Sequence, residues 1–262
     1  MEIRTAGLLQ SFRADHLNVY VYETRAQMGA AAATAAAAEL RRLIGAQRRR
    51  AVGLFASAPS QNEFLDALAV APDIEWTSVI AFHLDEYLGL DEDAPQSFRR
   101  YLIERLVKRV PLAEFHGLRG EAANPKAVCV NYASLLAFKP PDFAALGIGE
   151  NGHLAFNDPP VCDFNDPEAV KIVELDEACR QQQVNDGCFT TLDAVPRRAL
   201  TLTIPTLMAC PKLFVSVPGV RKQQAVKKTL HGPVTTACPA SILRVHRDAH
   251  LFLDREAAAL VL

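Results

Sequence analysis

Short apolar runs, each followed by a stretch with helical spacing, recur along this chain and limit what it can fold into. Residues 17–22 (LNVYVY), 51–56 (AVGLFA), 78–84, 143–146 and 213–217 (LFVSV) are rich in apolar, β-branched or aromatic residues and read as strands. Helical stretches lie between them. Residues 24–47 are alanine-rich, with Leu40, Leu43 and Ile44 at helical spacing and Thr24 as N-cap. Ser97 caps a helix to about residue 107, with Phe98, Tyr101, Leu102 and Leu106 on one face, and 125–138 read as another. The 110s and 120s read as loop. Further on, 171–175 reads as a short strand, 199–204 alternates, Pro205 opens a short helix, and 249–253 closes the chain as a strand. Such alternation predicts an α/β fold: a doubly wound, mainly parallel sheet with helices on both faces. Without a linker or internal repeat, residues 1–262 are expected to form a single domain.

Four strand-end segments carry polar residues where such sheets place their ligands. Residues 147–160 (GIGENGHLAFNDPP) set His153 among Glu150, Asn151, Asn157 and Asp158, so an imidazole that exchanges protons near neutral pH has groups able to orient it. Gly149 and Gly152 let backbone approach a ligand, although a glycine-rich turn can equally be only a turn. Residues 82–90 (FHLDEYLGL) present the adjacent carboxylates Asp85 and Glu86. After strand 51–56, Ser60 and Glu63 match a capping box that would start a helix near Gln61, and a helix start there could accept an anion. Lys222 falls in the first turn of the helix after Gly219, where the helix dipole disfavours a cation, so an anionic ligand would explain it better than helix stability.

Composition excludes other partners. A formal net charge of -2 and no extended basic run argue against nucleic acid. No apolar run approaches the roughly 20 residues of a membrane span, and residues 1–12 lack the pattern of a signal peptide. Six cysteines are scattered without metal-ligand spacing, which predicts reduced thiols, a cytoplasmic protein and no metal site.

Taken together, HLDEYLGL (83–90), GIGENGHLAFNDP (147–159), PGVRKQQAV (218–226) and TTACPASIL (235–243) resemble the glucosamine-6-phosphate deaminase family, also called glucosamine-6-phosphate isomerases. The resemblance covers nearly the whole chain. It implies a Rossmann-like fold, a small-molecule sugar phosphate as partner, and conversion of an amino-sugar 6-phosphate and water to a ketose 6-phosphate and ammonia without a cofactor. It makes Asp85 the base that moves a proton between C2 and C1, and His153 the acid that opens the ring. Asn151 and Asp158 would orient His153. Lys222 and the 56–61 loop (Ser57, Ser60, Gln61) would hold the phosphate, with Glu86, Gly149, Gly152 and Arg180 as further substrate contacts. The chain departs from the family in having Asn151 where members carry an acid, Asp158 where many carry the longer glutamate, and ASAPSQ in place of a glycine-rich phosphate loop. A 6-phosphogluconolactonase, which shares the fold, and a non-catalytic sugar-phosphate-binding protein are the alternatives. A homo-oligomer remains open.

Overall fold

The computed structural model describes residues 6–47 and 50–262. The chain begins with a hairpin, β1 (Leu8–Ala14) and β2 (Leu17–Tyr22), paired antiparallel around Asp15, whose φ is +52°. Sequence reading missed β1 because three of its seven residues, Gln10, Ser11 and Arg13, are polar and exposed, as befits an edge strand. Helix α1 (Arg25–Gln47) follows, and Thr24 caps it by accepting the Gln27 N–H. Its alanines lie flat against the sheet, with Ala31, Ala32 and Ala36 buried.

Strand β3 (Ala51–Phe55) leads through a tight turn at Pro59–Gln61 into α2 (Asn62–Ala69). The predicted capping box is not made. Glu63 instead pairs with Arg25 at 2.6 Å, and Ser60 Oγ accepts from Gln61 Nε2 at 3.1 Å, because α1 brings a cation to the start of α2. Strand β4 (Val79–His83) runs on through Leu84 into the short β5 (Asp85–Tyr87), which leaves the main sheet. Helix α3 (Phe98–Leu102), capped by Ser97, widens into a π-turn over Ile103–Val107. Strand β6 (Glu114–His116), helix α4 (Pro125–Phe138) and β7 (Phe143–Leu146) come next; β6 falls where a loop was expected. The remaining elements are β8 (Val170–Glu174), α5 (Glu177–Asn185), β9 (Arg198–Leu202), α6 (Ile204–Met208), β10 (Lys212–Val217), α7 (Gln223–His231) and β11 (Ala249–Asp254).

Eight strands form the main sheet in the order β1-β2-β11-β10-β7-β3-β4-β6, parallel throughout except for the β1 hairpin. Side chains alternate between its faces. Phe143 and Ala145 join Phe55, Phe214 and Phe252 beneath α1 and α2, whereas Ala144 and Leu146 join Val52, Phe82 and Val215 beneath α4, α6 and α7. Helices therefore cover both faces, as expected for a doubly wound sheet, and each fully buried Leu or Phe contributes about 1.5–3 kcal/mol. A second, antiparallel sheet of β5, β9 and β8 stands beyond the carboxyl ends of the main strands. Its Tyr87 packs with Phe98, Phe156 and Phe189 in a separate aromatic cluster. No helix among the described residues is long and apolar enough to cross a membrane.

Candidate active site

Four adjacent main-sheet strands, β10, β7, β3 and β4, release their carboxyl ends into one cleft of about 450 Å³, its open mouth included. The loop after β3 brings Ser57 and Ser60, the end of β4 brings Asp85, the loop after β7 brings Gly149 and His153, and the turn after β10 brings Lys222. Phe98 and Phe156, stacked with ring centroids 5.5 Å apart, close one side, and Gln182 and Gln183 of α5 another.

One end of the cleft suits an anion. The Ser57 hydroxyl is buried with no hydrogen-bond partner among the described residues. Lys222 is buried too, and its ammonium makes no hydrogen bond to described groups. Burial pushes this amine below its ordinary range, an effect that Asp186 and Glu150 partly offset. An unpaired, desolvated ammonium in the same cleft as a free hydroxyl favours a bound anion, since the anion restores what desolvation removed.

The other end suits proton transfer. Asp85 is buried and its carboxylate accepts no hydrogen bond from described residues; burial first, then the charges of Glu86 and Asp158, raise it well above the usual carboxylate range. Across the cleft, His153 Nδ1 lies 2.8 Å from Asp158 Oδ1, close enough for an ion pair although off the linear hydrogen-bond direction. Burial works to raise Asp158 as well, but the His153 charge, the Asn151 amide and the Asp176 backbone N–H outweigh it and leave the carboxyl below its ordinary range. The two carboxylates are thus driven apart, one towards the protonated form and one towards the ion, as in sites that divide acid and base roles.

Glycine and strain shape the loop that carries the imidazole. A Cβ on Gly149 would fall 2.3 Å from His153 Cε1, so only glycine leaves room for the ring. Ala155, which lines the cleft, adopts a φ of +49°, a left-handed conformation that costs a non-glycine residue roughly 1 kcal/mol. It is held there because Asn157 Nδ2 donates to Leu154 O and Leu202 O, and Phe156 N–H donates to Thr201 Oγ1. The two residues after Ala155 tie the loop to β9, and Asn157 ties it back to Leu154.

A family described as glucosamine-6-phosphate isomerases/6-phosphogluconolactonase matches residues 23–252. The chain belongs to this family. Among its relatives, a glucosamine-6-phosphate deaminase of Listeria innocua is 36% identical over 202 residues, 77% of this chain and 84% of the relative. One from Streptococcus pneumoniae is 34% identical over 206 residues, covering 79% and 86%. A solved monomeric glucosamine-6-phosphate deaminase superposes with a TM-score of 0.84 at 29% identity, over 92% of this chain and 99% of that one. A 6-phosphogluconolactonase from Shewanella baltica gives 0.75 at 18% identity over 95% and 100%, a likeness of fold alone.

Several residues expected at this family site stand behind it instead. Glu86 accepts hydrogen bonds from the Tyr87, Phe98 and Arg99 backbone N–H groups and from Ser97 Oγ, at 2.8–3.1 Å, so its carboxylate fastens the start of α3. Gln61 donates to Leu146 O and Ser216 O, joining β7 to β10 beneath the cleft floor. Arg180 points away from the cleft; its guanidinium donates to Leu192 O and Val195 O and holds the 192–195 turn. Gly152 has a φ of +90° and its carbonyl accepts from Ala240, so it serves the turn rather than a ligand. Asn151 does not touch the His153 ring: its Oδ1 accepts the His153 backbone N–H while its Nδ2 holds Asp158. Asp158, despite the shorter side chain, reaches His153 directly because Asp176 and Asn151 pull it forward.

Sequence reasoning missed Gln182, Gln183 and the two phenylalanines. The glutamine run was the available signal, but EACRQQQVN has too few apolar residues to show a helical stripe. His153, Asp158 and Cys179 bring donor atoms within 4.8 Å of one another. Burial and the Asp158 charge raise the Cys179 thiol well above its ordinary range, so it stands as a neutral neighbour of the pair and not as a thiolate ligand.

Proposed function

We propose that this chain is an amino-sugar-6-phosphate deaminase and aldose–ketose isomerase, turning glucosamine 6-phosphate and water into fructose 6-phosphate and ammonia. The observation that carries the reading is an unpartnered carboxylate, Asp85, facing the same cleft as the His153–Asp158 pair and the Ser57–Lys222 anion site. The phosphate is anchored by Lys222 with Ser57 and Ser60, which fixes the far end of the sugar. His153 protonates the ring oxygen and takes up the proton that the anomeric hydroxyl gives, opening the ring to the aldehyde; Asp158 stabilises the imidazolium. Asp85 then removes the proton from C2 as His153 gives one to the aldehyde oxygen, forming an enolamine, and Asp85 returns its proton to C1. The resulting C2 iminium adds water and releases ammonia, leaving the ketose.

Lactone hydrolysis would need a water activated beside a carbonyl and would leave a base facing a C–H bond without work, so the free Asp85 favours the deaminase reading. The names of the 34–36% identical relatives support the same substrate class. We further infer a cytoplasmic protein from its six free thiols. The decisive assay is ammonia release from glucosamine 6-phosphate and, separately, galactosamine 6-phosphate, with Asp85→Asn as control. Release that the variant lacks establishes the reaction; no release from either sugar, with hydrolysis of 6-phosphogluconolactone instead, sinks it.

A further inference from the structure

Helix α5 supplies a cleft residue that the proposed mechanism does not use. Gln183 is 5% exposed, lines the cleft, and its side-chain amide makes no hydrogen bond to any described residue. Its neighbour Gln182 lines the same wall but is engaged: Oε1 accepts from Glu150 N–H at 2.7 Å and Nε2 reaches Asp186 Oδ2 at 3.3 Å. A buried primary amide carries two donors and an acceptor, and leaving them idle is costly. Beside a glutamine whose amide is satisfied, such a group marks a ligand contact.

The helix also tells which end of the ligand Gln183 meets. Cys179, Gln183 and Asp186 follow one another at spacings of four and three and share a helix face. Asp186, one turn on, is close enough to act electrostatically on Lys222, so past Gln183 that face looks towards the ammonium, while Cys179, one turn back, stands beside the His153–Asp158 pair. Lys222 is the one Lys or Arg side chain lining the cleft among the described residues, and Arg180 of α5 is turned away to the 192–195 turn.

Resting on the sugar-phosphate reading, we propose that Gln183 is a substrate-positioning residue whose amide N–H donates to the phosphate beside Lys222. The dianion is then held by a single ammonium and neutral donors, Ser57 Oγ and Gln183 Nε2, while Gln183 Oε1 remains to accept from a sugar hydroxyl next to the phosphate. Such an arrangement reads both groups with one side chain. A cation in its place could donate only.

Two measurements on the whole chain test this. Titration calorimetry with inorganic phosphate gives Kd for the wild type, Gln183→Leu and Gln183→Glu, and steady-state kinetics with glucosamine 6-phosphate gives KM and kcat for the same proteins. Removing the amide should raise both the phosphate Kd and KM by about tenfold, and the carboxylate by more, with kcat changing by about twofold at most. Gln183→Asn, which keeps the amide one methylene short, should fall between, and equal melting temperatures exclude a folding defect. Phosphate affinity unchanged in Gln183→Leu overturns the proposal, as does a fall in kcat at constant KM, which would set the amide at the reacting end. If the wild type binds phosphate but deaminates no sugar, the reaction assigned above fails while the phosphate titration still decides the role of Gln183.

Discussion

The cleft and the shell behind it are built from the same polar residue types, yet their polar atoms are treated in opposite ways. Asp85, Lys222, Gln183 and the Ser57 hydroxyl face the cleft without partners among the described residues, whereas Glu86, Arg180 and the Gln61 amide nitrogen direct their polar groups to scaffold donors and acceptors. Asp85 and Glu86 make the contrast sharpest, being consecutive residues of one short strand. Strand geometry sends their side chains to opposite faces, so one meets the cleft and the other meets the amino end of α3. Burial raises both carboxyls, but four hydrogen bonds compensate Glu86 and none from the described residues compensates Asp85. An unsatisfied buried polar atom is costly in a scaffold and useful in a site, which is why the pattern separates the two.

Substitutions across that divide should separate rate from stability. The largest effect belongs to Asp85→Asn, which should lower kcat by about 10²–10⁴-fold while leaving the melting temperature unchanged or higher. A variant that folds poorly yet turns over normally would break the contrast at its sharpest point. Lys222→Met should raise KM by about 10–100-fold and make it less sensitive to salt, with a smaller effect on kcat. Behind the cleft, Glu86→Gln should cost about 1–3 kcal/mol of stability, seen in urea unfolding, because an amide NH₂ would face backbone N–H donors. Arg180→Leu should cost about 1–2 kcal/mol by leaving Leu192 O and Val195 O without their donor, at unchanged KM. An Arg180→Leu enzyme with normal stability and a raised KM would return this arginine to the substrate.

The smallest expected effect is in the pH profile of stability. Asp85 has a folded-state pKa above its unfolded value, so the native state loses stability as pH rises through the raised pKa; Asp85→Asn should remove that slope. Asp158 behaves in the opposite sense, its contribution being present above the ordinary carboxylate pKa and lost as pH falls through the depressed one. Turnover should rise with pH through the Asp85 pKa, because the base works ionised. Melting curves and kcat/KM across the acidic to neutral range check both signs.

Apolar runs were enough to locate β2, β3, β4, β7, β10 and β11, because a parallel strand buried on both faces needs a continuous apolar sequence. Those strands fixed the sheet, and their carboxyl-end loops carried Ser57, Asp85, His153 and Lys222 by sequence alone. Strands β1, β5 and β6 and helix α5 escaped, since three-residue DEY and EFH segments and a polar edge strand owe their form to partners distant in the chain. Residue type therefore told which groups could do chemistry, and only the tertiary structure told which of them were free to. Glu86, Gln61 and Arg180 looked as suitable as Asp85, Ser57 and Lys222 until the α3 amides, the β7 and β10 carbonyls and the 192–195 turn claimed them. Hydrogen-bond partners are set by what the fold brings near, and a linear sequence does not contain that neighbourhood.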